Sequence, residues 1–227
     1  MTPAGIETLK GFRTLGVPER ELIAAATRQR SVAAGKVLFS EGEPADALWA
    51  VKEGLVHIIK FGPEGREIVL EVIPPGELFG AVAALEGRSY PASAVAVEPS
   101  QVWCLPASLA RELCQKHPTL RSAILDQVTG RLREAHDRLR SIALERVEQR
   151  LARILLALAE KIGQRRGKIM ELNVSRQELA DMIGTTVETT IRITSRWQHA
   201  GLISSSRHRI ALTDPQGIQK IVKNGPV

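Results

Sequence analysis

The chain has 227 residues, 44% hydrophobic and 25% charged, an ordinary composition for a soluble globular protein of one large domain or two small ones. No stretch approaches the roughly 18 consecutive apolar residues of a membrane span, and residues 1–9 lack the basic start and apolar run of a signal peptide, so a cytoplasmic protein without membrane attachment is expected. Residues 1–144 hold 17 Lys+Arg and 17 Asp+Glu. The whole net charge of +6 therefore falls in residues 145–227, where it favours a polyanionic partner such as nucleic acid.

Residues 5–26 carry a helix-like pattern broken near Gly16-Val-Pro18. From about residue 31 to residue 105 the sequence alternates short apolar runs with glycine turns. Lys36-Val-Leu-Phe39, Ala47-Leu-Trp-Ala-Val51, Leu55-Val-His-Ile-Ile59, Ile68-Val-Leu-Glu-Val-Ile73 and Ala92-Ser-Ala-Val-Ala-Val97 read as strands. Gly42, Gly54, Gly65 and Gly76 recur every 11 or 12 residues, a beat that predicts a β-sandwich or roll. From Pro118 the apolar positions Leu120, Ile124, Val128, Leu132, Ala135, Leu139 and Ile142 step by three and four along one long helix. So narrow a stripe on so long a helix suits a two-helix seam between subunits; packing on its own domain is the other reading. The stripe changes phase near residues 143–146, which marks a hinge. Residues 147–162 form a further amphipathic helix, ended by Gly163 and the polar Gln164-Arg-Arg-Gly-Lys168.

The segment with the clearest chemistry follows. Ser175-Arg-Gln-Glu-Leu-Ala-Asp-Met-Ile-Gly184 and Thr185-Thr-Val-Glu-Thr-Thr-Ile-Arg-Ile193 read as a helix-turn-helix. Ser175 and Glu178 make a capping box, Gly184 supplies the turn, and Thr186 caps the second helix, whose inner face is Thr190, Ile193 and Trp197. Val187, Glu188, Thr189, Ile191 and Arg192 are left on or near the outer face at the helix start, where such residues meet base edges. Glutamate accepts from cytosine N4, and arginine is bidentate to guanine. Ser175, Arg176 and Thr186 fall where backbone phosphates are held. Against this stands a second reading, in which Glu188 completes a capping box with Thr185 and Arg192 is a solvated charge. Residues 201–212 look like a β-wing carrying Arg207, His208 and Arg209.

Glycine-punctuated roll, long helix and winged helix together resemble, over essentially the whole chain, the cyclic-AMP receptor protein/fumarate–nitrate reductase family of bacterial regulators, a member of which is among the standard examples of helix-turn-helix docking. The resemblance implies an α+β fold. Residues 1–116 would be an N-terminal double-stranded β-helix, a jelly roll of the cyclic-nucleotide-binding kind, that senses an effector. Residues 117–144 would be a dimerisation helix (Ile124, Val128, Leu132, Ala135, Leu139 and Ile142), and residues 145–227 a winged helix-turn-helix. The partners it implies are double-stranded DNA, a second copy of the chain, RNA polymerase and a small effector. Val187-Glu188-Thr189 and Arg192 resemble the fumarate–nitrate branch and imply a palindromic TTGA-like operator; the cyclic-AMP branch has Arg where Val187 stands, and Ile191 departs from the Ser of the fumarate–nitrate branch.

The effector set implied by the resemblance is Phe79, Gly80, Arg88, Ser89, Tyr90 and Ser93. Cyclic-nucleotide binders carry Glu after the second glycine and an Arg-Ser pair; here Ala81 follows Gly80, and Tyr90-Pro91 stand where Arg-Ser is expected. Pro91 has no N–H to donate. Cyclic AMP is therefore not the expected effector. An iron–sulfur cluster is not expected either, because the two cysteines, Cys104 and Cys114, are too few. The expectation is a small organic effector, with haem bound through His57 or Cys104 as the alternative, and a response to no ligand remains open. A cupin-like metalloenzyme needs two or three histidines with a carboxylate, and only His57 lies within the roll, so neither a metal site nor catalysis is expected.

Overall fold

The computed structural model describes residues 9, 12, 15–62, 67–167, 169–206 and 208–224. Its contacts divide the chain into two units, Met1–Arg133 and Glu134–Val227. The division falls inside the long helix.

In the first unit α1 (Val17–Ala26) is followed by β1 (Arg28–Val32), β2 (Val37–Phe39), β3 (Ala47–Glu53), β4 (Val56–Phe61), β5 (Glu67–Ile73) and β6 (Leu78–Phe79). Then come α2 (Ala81–Glu86), β7 (Ser93–Ala96), β8 (Ser100–Pro106), α3 (Ala107–Lys116) and the start of α4 (Pro118–Leu144). The strands pair antiparallel in two four-stranded sheets, ordered β1-β8-β3-β6 and β2-β7-β4-β5. Strand β3 is buried at every position from Ala47 to Val51, because it lies between β8 and β6 with both faces covered. That explains an unbroken apolar run where alternation would mark a one-sided sheet. Of the four glycines in the beat, Gly42, Gly54 and Gly76 adopt positive φ, and Gly65 lies outside the described residues. The roll starts earlier than its sequence pattern suggests. Strand β1 (Arg-Gln-Arg-Ser-Val) is polar and mostly exposed, and it is held by its ladder to β8 rather than by a buried face. Helix α1 begins at Val17, where the break in the pattern was expected, with Pro18 in its first turn as its fixed φ allows; most of residues 5–14 lie outside the described residues.

In the second unit the remainder of α4 leads to α5 (Val147–Ile162), β9 (Gln164–Arg166), β10 (Ile169–Leu172), α6 (Arg176–Ile183), α7 (Val187–His199), β11 (Ile203–Ser206), β12 (Arg209–Leu212) and α8 (Pro215–Asn224). Its sheet is ordered β11-β12-β10-β9. Gln164–Arg166 of the polar segment after Gly163 thus form an edge strand of the sheet; three consecutive polar residues at an exposed edge carry no burial signal. Where the hinge was expected, α4 ends at Leu144 and α5 starts at Val147. Among the described residues, no helix is long and apolar enough to cross a membrane.

Candidate nucleic-acid interface and the interior of the roll

Local capping sets the geometry of the helix pair. The Glu178 N–H donates to Ser175 Oγ at 3.1 Å, and the Ser175 N–H donates to Glu178 Oε2 at 2.7 Å, the reciprocal bonds of a capping box. Gly184 ends α6 with φ 68°, a left-handed conformation that an L side chain resists. Two residues on, Thr186 Oγ1 accepts from the Thr189 N–H at 3.3 Å and starts α7. The cap is therefore Thr186 with Thr189 as its partner. Glu188 sits one position short of the capping-box place and remains exposed.

Burial then sorts α7 into two faces. Thr190, Ile193, Thr194 and Trp197 are buried; Glu188, Ile191 and Arg192 are exposed, and Val187 and Thr189 are half-buried. The inner face is locked by a buried carboxylate that the sequence reading missed. Glu148 of α5 accepts from Trp197 Nε1 at 2.7 Å and from Arg196 at 2.5 Å. Its signal was legible: a charged residue on the α5 stripe, three positions before Leu151 and seven before Leu155. The Arg150 Nε donates to the Ile183 carbonyl at 3.2 Å, tying α5 to the end of α6. Between α4 and α5, Glu145 pairs with Arg153 and accepts from Ser141 Oγ at 2.6 Å. The Arg153 hydrogen bonds hold the Glu145 carboxyl below its ordinary value.

Arg176, expected at a phosphate, has its guanidinium engaged inside the unit. It donates to Ser205 Oγ at 2.8 Å, to the Ser206 carbonyl at 3.3 Å and to Thr194 Oγ1 at 3.3 Å, so it fastens the β11–β12 wing to α6 and α7. Ser205 is held again through Gln198. Arg209 is exposed at the start of β12, 3.9 Å from Glu171, and Arg207 lies outside the described residues. Arg166, unremarked in sequence, is exposed on β9 beside the same Glu171 at 3.1 Å. Ser175 is half-buried and Thr186 exposed, each at a helix start. The exposed start of α7 thus presents backbone N–H groups, one carboxylate and one guanidinium, a set suited to phosphate and base-edge hydrogen bonds.

In the roll, the expected effector residues separate into an inner and an outer group. Phe79, Tyr90 and Ser93 are buried. Phe39 of one sheet meets Trp49 and Phe79 of the other, with ring centroids 6.1 and 6.0 Å away, and stacks on Tyr90 at 3.7 Å. Ser93 Oγ accepts from the Glu41 N–H at 2.9 Å. Gly80 has φ 68°, and a Cβ there would lie 3.0 Å from Tyr90 Cε1, so both conformation and space favour glycine. Arg88 and Ser89 face outward, lining an open recess with Asp46, Ser108 and Arg111.

Residues 29–117 match the model of the cyclic nucleotide-binding domain, and residues 149–221 match that of the Crp-like helix-turn-helix domain. The chain belongs to the CRP/FNR family. It is 25% identical over 207 residues to a CRP-like cAMP-activated global transcriptional regulator of Mycobacterium tuberculosis, covering 89% of this chain and 92% of that one. It is 27% identical over 189 residues to the transcriptional activator protein Anr of Pseudomonas aeruginosa, covering 82% and 77%. A crystal structure of a CRP/FNR-family transcriptional regulator from Thermus thermophilus superposes with a TM-score of 0.74 at 27% identity, covering 88% of this chain and all of that one.

In this CRP/FNR regulator the long-helix stripe is itself divided. Leu120 and Ile124 are buried in the core of the first unit and Val128 packs against it, whereas Leu132, Leu139 and Ile142 are 54, 64 and 59% exposed and Ala135 is exposed. Arg131 fixes the boundary, donating to the Leu78 carbonyl at 2.5 Å and pairing with Glu71 at 3.1 Å and Glu77 at 3.6 Å. The two haem-ligand candidates sit in different sheets, His57 buried in β4 and Cys104 half-buried in β8, where burial raises the thiol pKa.

Proposed function

We propose that this protein acts in the cytoplasm as a homodimer that binds a palindromic TTGA-like operator and regulates transcription through RNA polymerase. The observation that carries the reading is the division of α7, four buried residues inside against Glu188, Ile191 and Arg192 outside at the helix start. Arg192 would read guanine, Glu188 cytosine N4, and Ser175, Thr186, Val187, Thr189 and the wing residues Arg207 and Arg209 would position the helix on the backbone and groove. Arg176 would contribute by holding the wing.

The functional parts are the roll (1–116), the dimerisation helix (117–144) and the winged helix (145–227). Dimerisation would use the exposed end of the stripe, Leu132, Ala135, Leu139 and Ile142, while Ile124 and Val128 serve the roll. Two-fold symmetry then sets half-sites about one helical turn, roughly 34 Å, apart. Control of binding lies in the roll, with an input other than cyclic AMP or an iron–sulfur cluster.

The test is fluorescence anisotropy with a labelled duplex bearing two inverted TTGA half-sites, against one with both scrambled. The expected preference is at least roughly tenfold at fixed salt. Leu132→Glu with Leu139→Glu is expected to sediment as a monomer and to lose most of that affinity. Equal binding to both duplexes would overturn the reading, and a double variant that stays dimeric would overturn the seam.

A further inference from the structure

We propose that Tyr90 is the roll's own ligand: its phenol ring holds the space between the two sheets that a bound molecule would otherwise fill, so that operator binding needs no cyclic nucleotide. This rests on the operator-binding reading above and adds how the same protein is set in its binding form.

Four rings bridge the sheets. Phe39 comes from the β2-β7-β4-β5 sheet, Trp49 and Phe79 come from the β1-β8-β3-β6 sheet, and Tyr90 comes from the segment between α2 and β7. None is more than 5% exposed. Tyr90 lies nearly parallel to Phe39, with 14° between the ring planes. Its hydroxyl donates to the Ala47 carbonyl at 2.6 Å and accepts from Trp49 Nε1 at 3.0 Å. The phenol therefore does what a well-matched ligand does in a roll: it stacks on one sheet and hydrogen-bonds to the other.

Tyr90 is also fixed at its backbone. Its N–H donates to the Glu43 carbonyl at 2.9 Å, and its carbonyl accepts from the Gly42 N–H at 2.9 Å, so the ring is not a lid on a loose loop. Arg30 covers the Trp49 ring at 5.3 Å from strand β1 and closes the cluster on that side. A phosphate-bearing ligand would have to displace the ring, and Pro91, next in the chain, has no N–H to offer it. Arg88 points away, 79% exposed and 3.6 Å from Glu86.

The test uses the full-length protein and two variants. In wild type, equilibrium dialysis with labelled cyclic AMP and cyclic GMP at about 1 mM is expected to show no binding, and neither nucleotide is expected to change the operator affinity by more than roughly twofold. Tyr90→Gly removes the occupant back to the main chain, and 4-methylphenol, whose methyl stands for the lost Cβ, returns it as a free molecule. The variant is expected to melt lower and bind the operator at least roughly tenfold more weakly, with 4-methylphenol raising both values in the variant and neither in wild type. Toluene, which lacks the hydroxyl, is expected to rescue less.

Stoichiometric nucleotide binding by wild type overturns the proposal. So does a glycine variant whose operator affinity is already that of wild type, or one in which 4-methylphenol restores melting temperature alone, which would make Tyr90 ordinary core. If Tyr90→Gly does not fold, the wild-type dialysis stands, and Tyr90→Phe supplies the second arm. That variant keeps the ring, and it is expected to melt lower yet stay indifferent to 4-methylphenol and to both nucleotides; nucleotide binding by it would overturn the proposal. Dialysis and melting involve no DNA, so a failure to prefer the operator would count against the operator reading and leave this one to its own measurements.

Discussion

The two units hold their elements together by different means. The roll relies on rings and aliphatic side chains, and its central polar contacts serve a hydrophobic cluster, as Tyr90 does between Trp49 and Ala47. The winged-helix unit relies on polar side chains that each join two elements: Glu148 joins α5 to α7, Arg150 joins α5 to α6, and Arg176 joins α6 to the wing. The difference matches their surfaces. On the proposed reading, a unit that presents Glu188 and Arg192 outward at a fixed angle would gain from directional bonds behind that face, whereas a roll whose interior stays shut would gain from close packing.

The contrast can be broken most severely at Glu148. Glu148→Ala leaves the Trp197 N–H buried without its acceptor, and it is expected to lower unfolding stability by about 3 kcal/mol and weaken operator binding with it, read by chemical denaturation. No loss would mean that packing alone positions α7. Arg192→Ala sharpens the same point from the outside. It is expected to cost about 2 kcal/mol on the operator and relax base preference at one position, while melting unchanged. A fall in melting temperature would place Arg192 in the fold rather than at the reading face.

The smallest effect is in pH. The Glu145 carboxyl is held low by Arg153, so its stabilising pair is intact above the ordinary carboxylate range, near pH 4.3, and is lost as pH falls through the lowered value. In the roll, burial raises the Tyr90 pKa, so its contribution is intact below about pH 10 and is lost as pH rises through the raised value. Melting curves resolved by unit are expected to weaken on the acid side in the winged helix and on the alkaline side in the roll. Glu145→Gln should flatten the first, and Tyr90→Phe the second. The same edge in both units would erase the distinction.

What the sequence made legible follows the same division. The helix-turn-helix was readable residue by residue because caps are local: Ser175 with Glu178, Gly184 and Thr186 state their roles within a few positions. Roll strands with apolar runs were readable for the same reason. Strand β1 was not, since its partner β8 lies about seventy positions away and its own residues are polar. The β9 edge was not either: its partner β10 is the next strand, but its three residues are polar and exposed. Nor was the division of the long-helix stripe. Ile124 and Leu139 look alike in sequence, and only the roll packed against the first distinguishes them. The engagement of Arg176 with the wing likewise depends on residues about thirty positions away.

The bare half of α4 has a consequence for dosage. Leu132, Leu139 and Ile142 are exposed in the single chain, with Leu144 at 78%, and on the proposed dimer reading they would disfavour that species in water. Below its pairing constant, a chain that reads its operator as a dimer is active in proportion to about the square of its concentration. A twofold change in synthesis would then alter operator occupancy about fourfold, so the abundance of this protein would itself act as a signal, set by three leucines and an isoleucine on one helix.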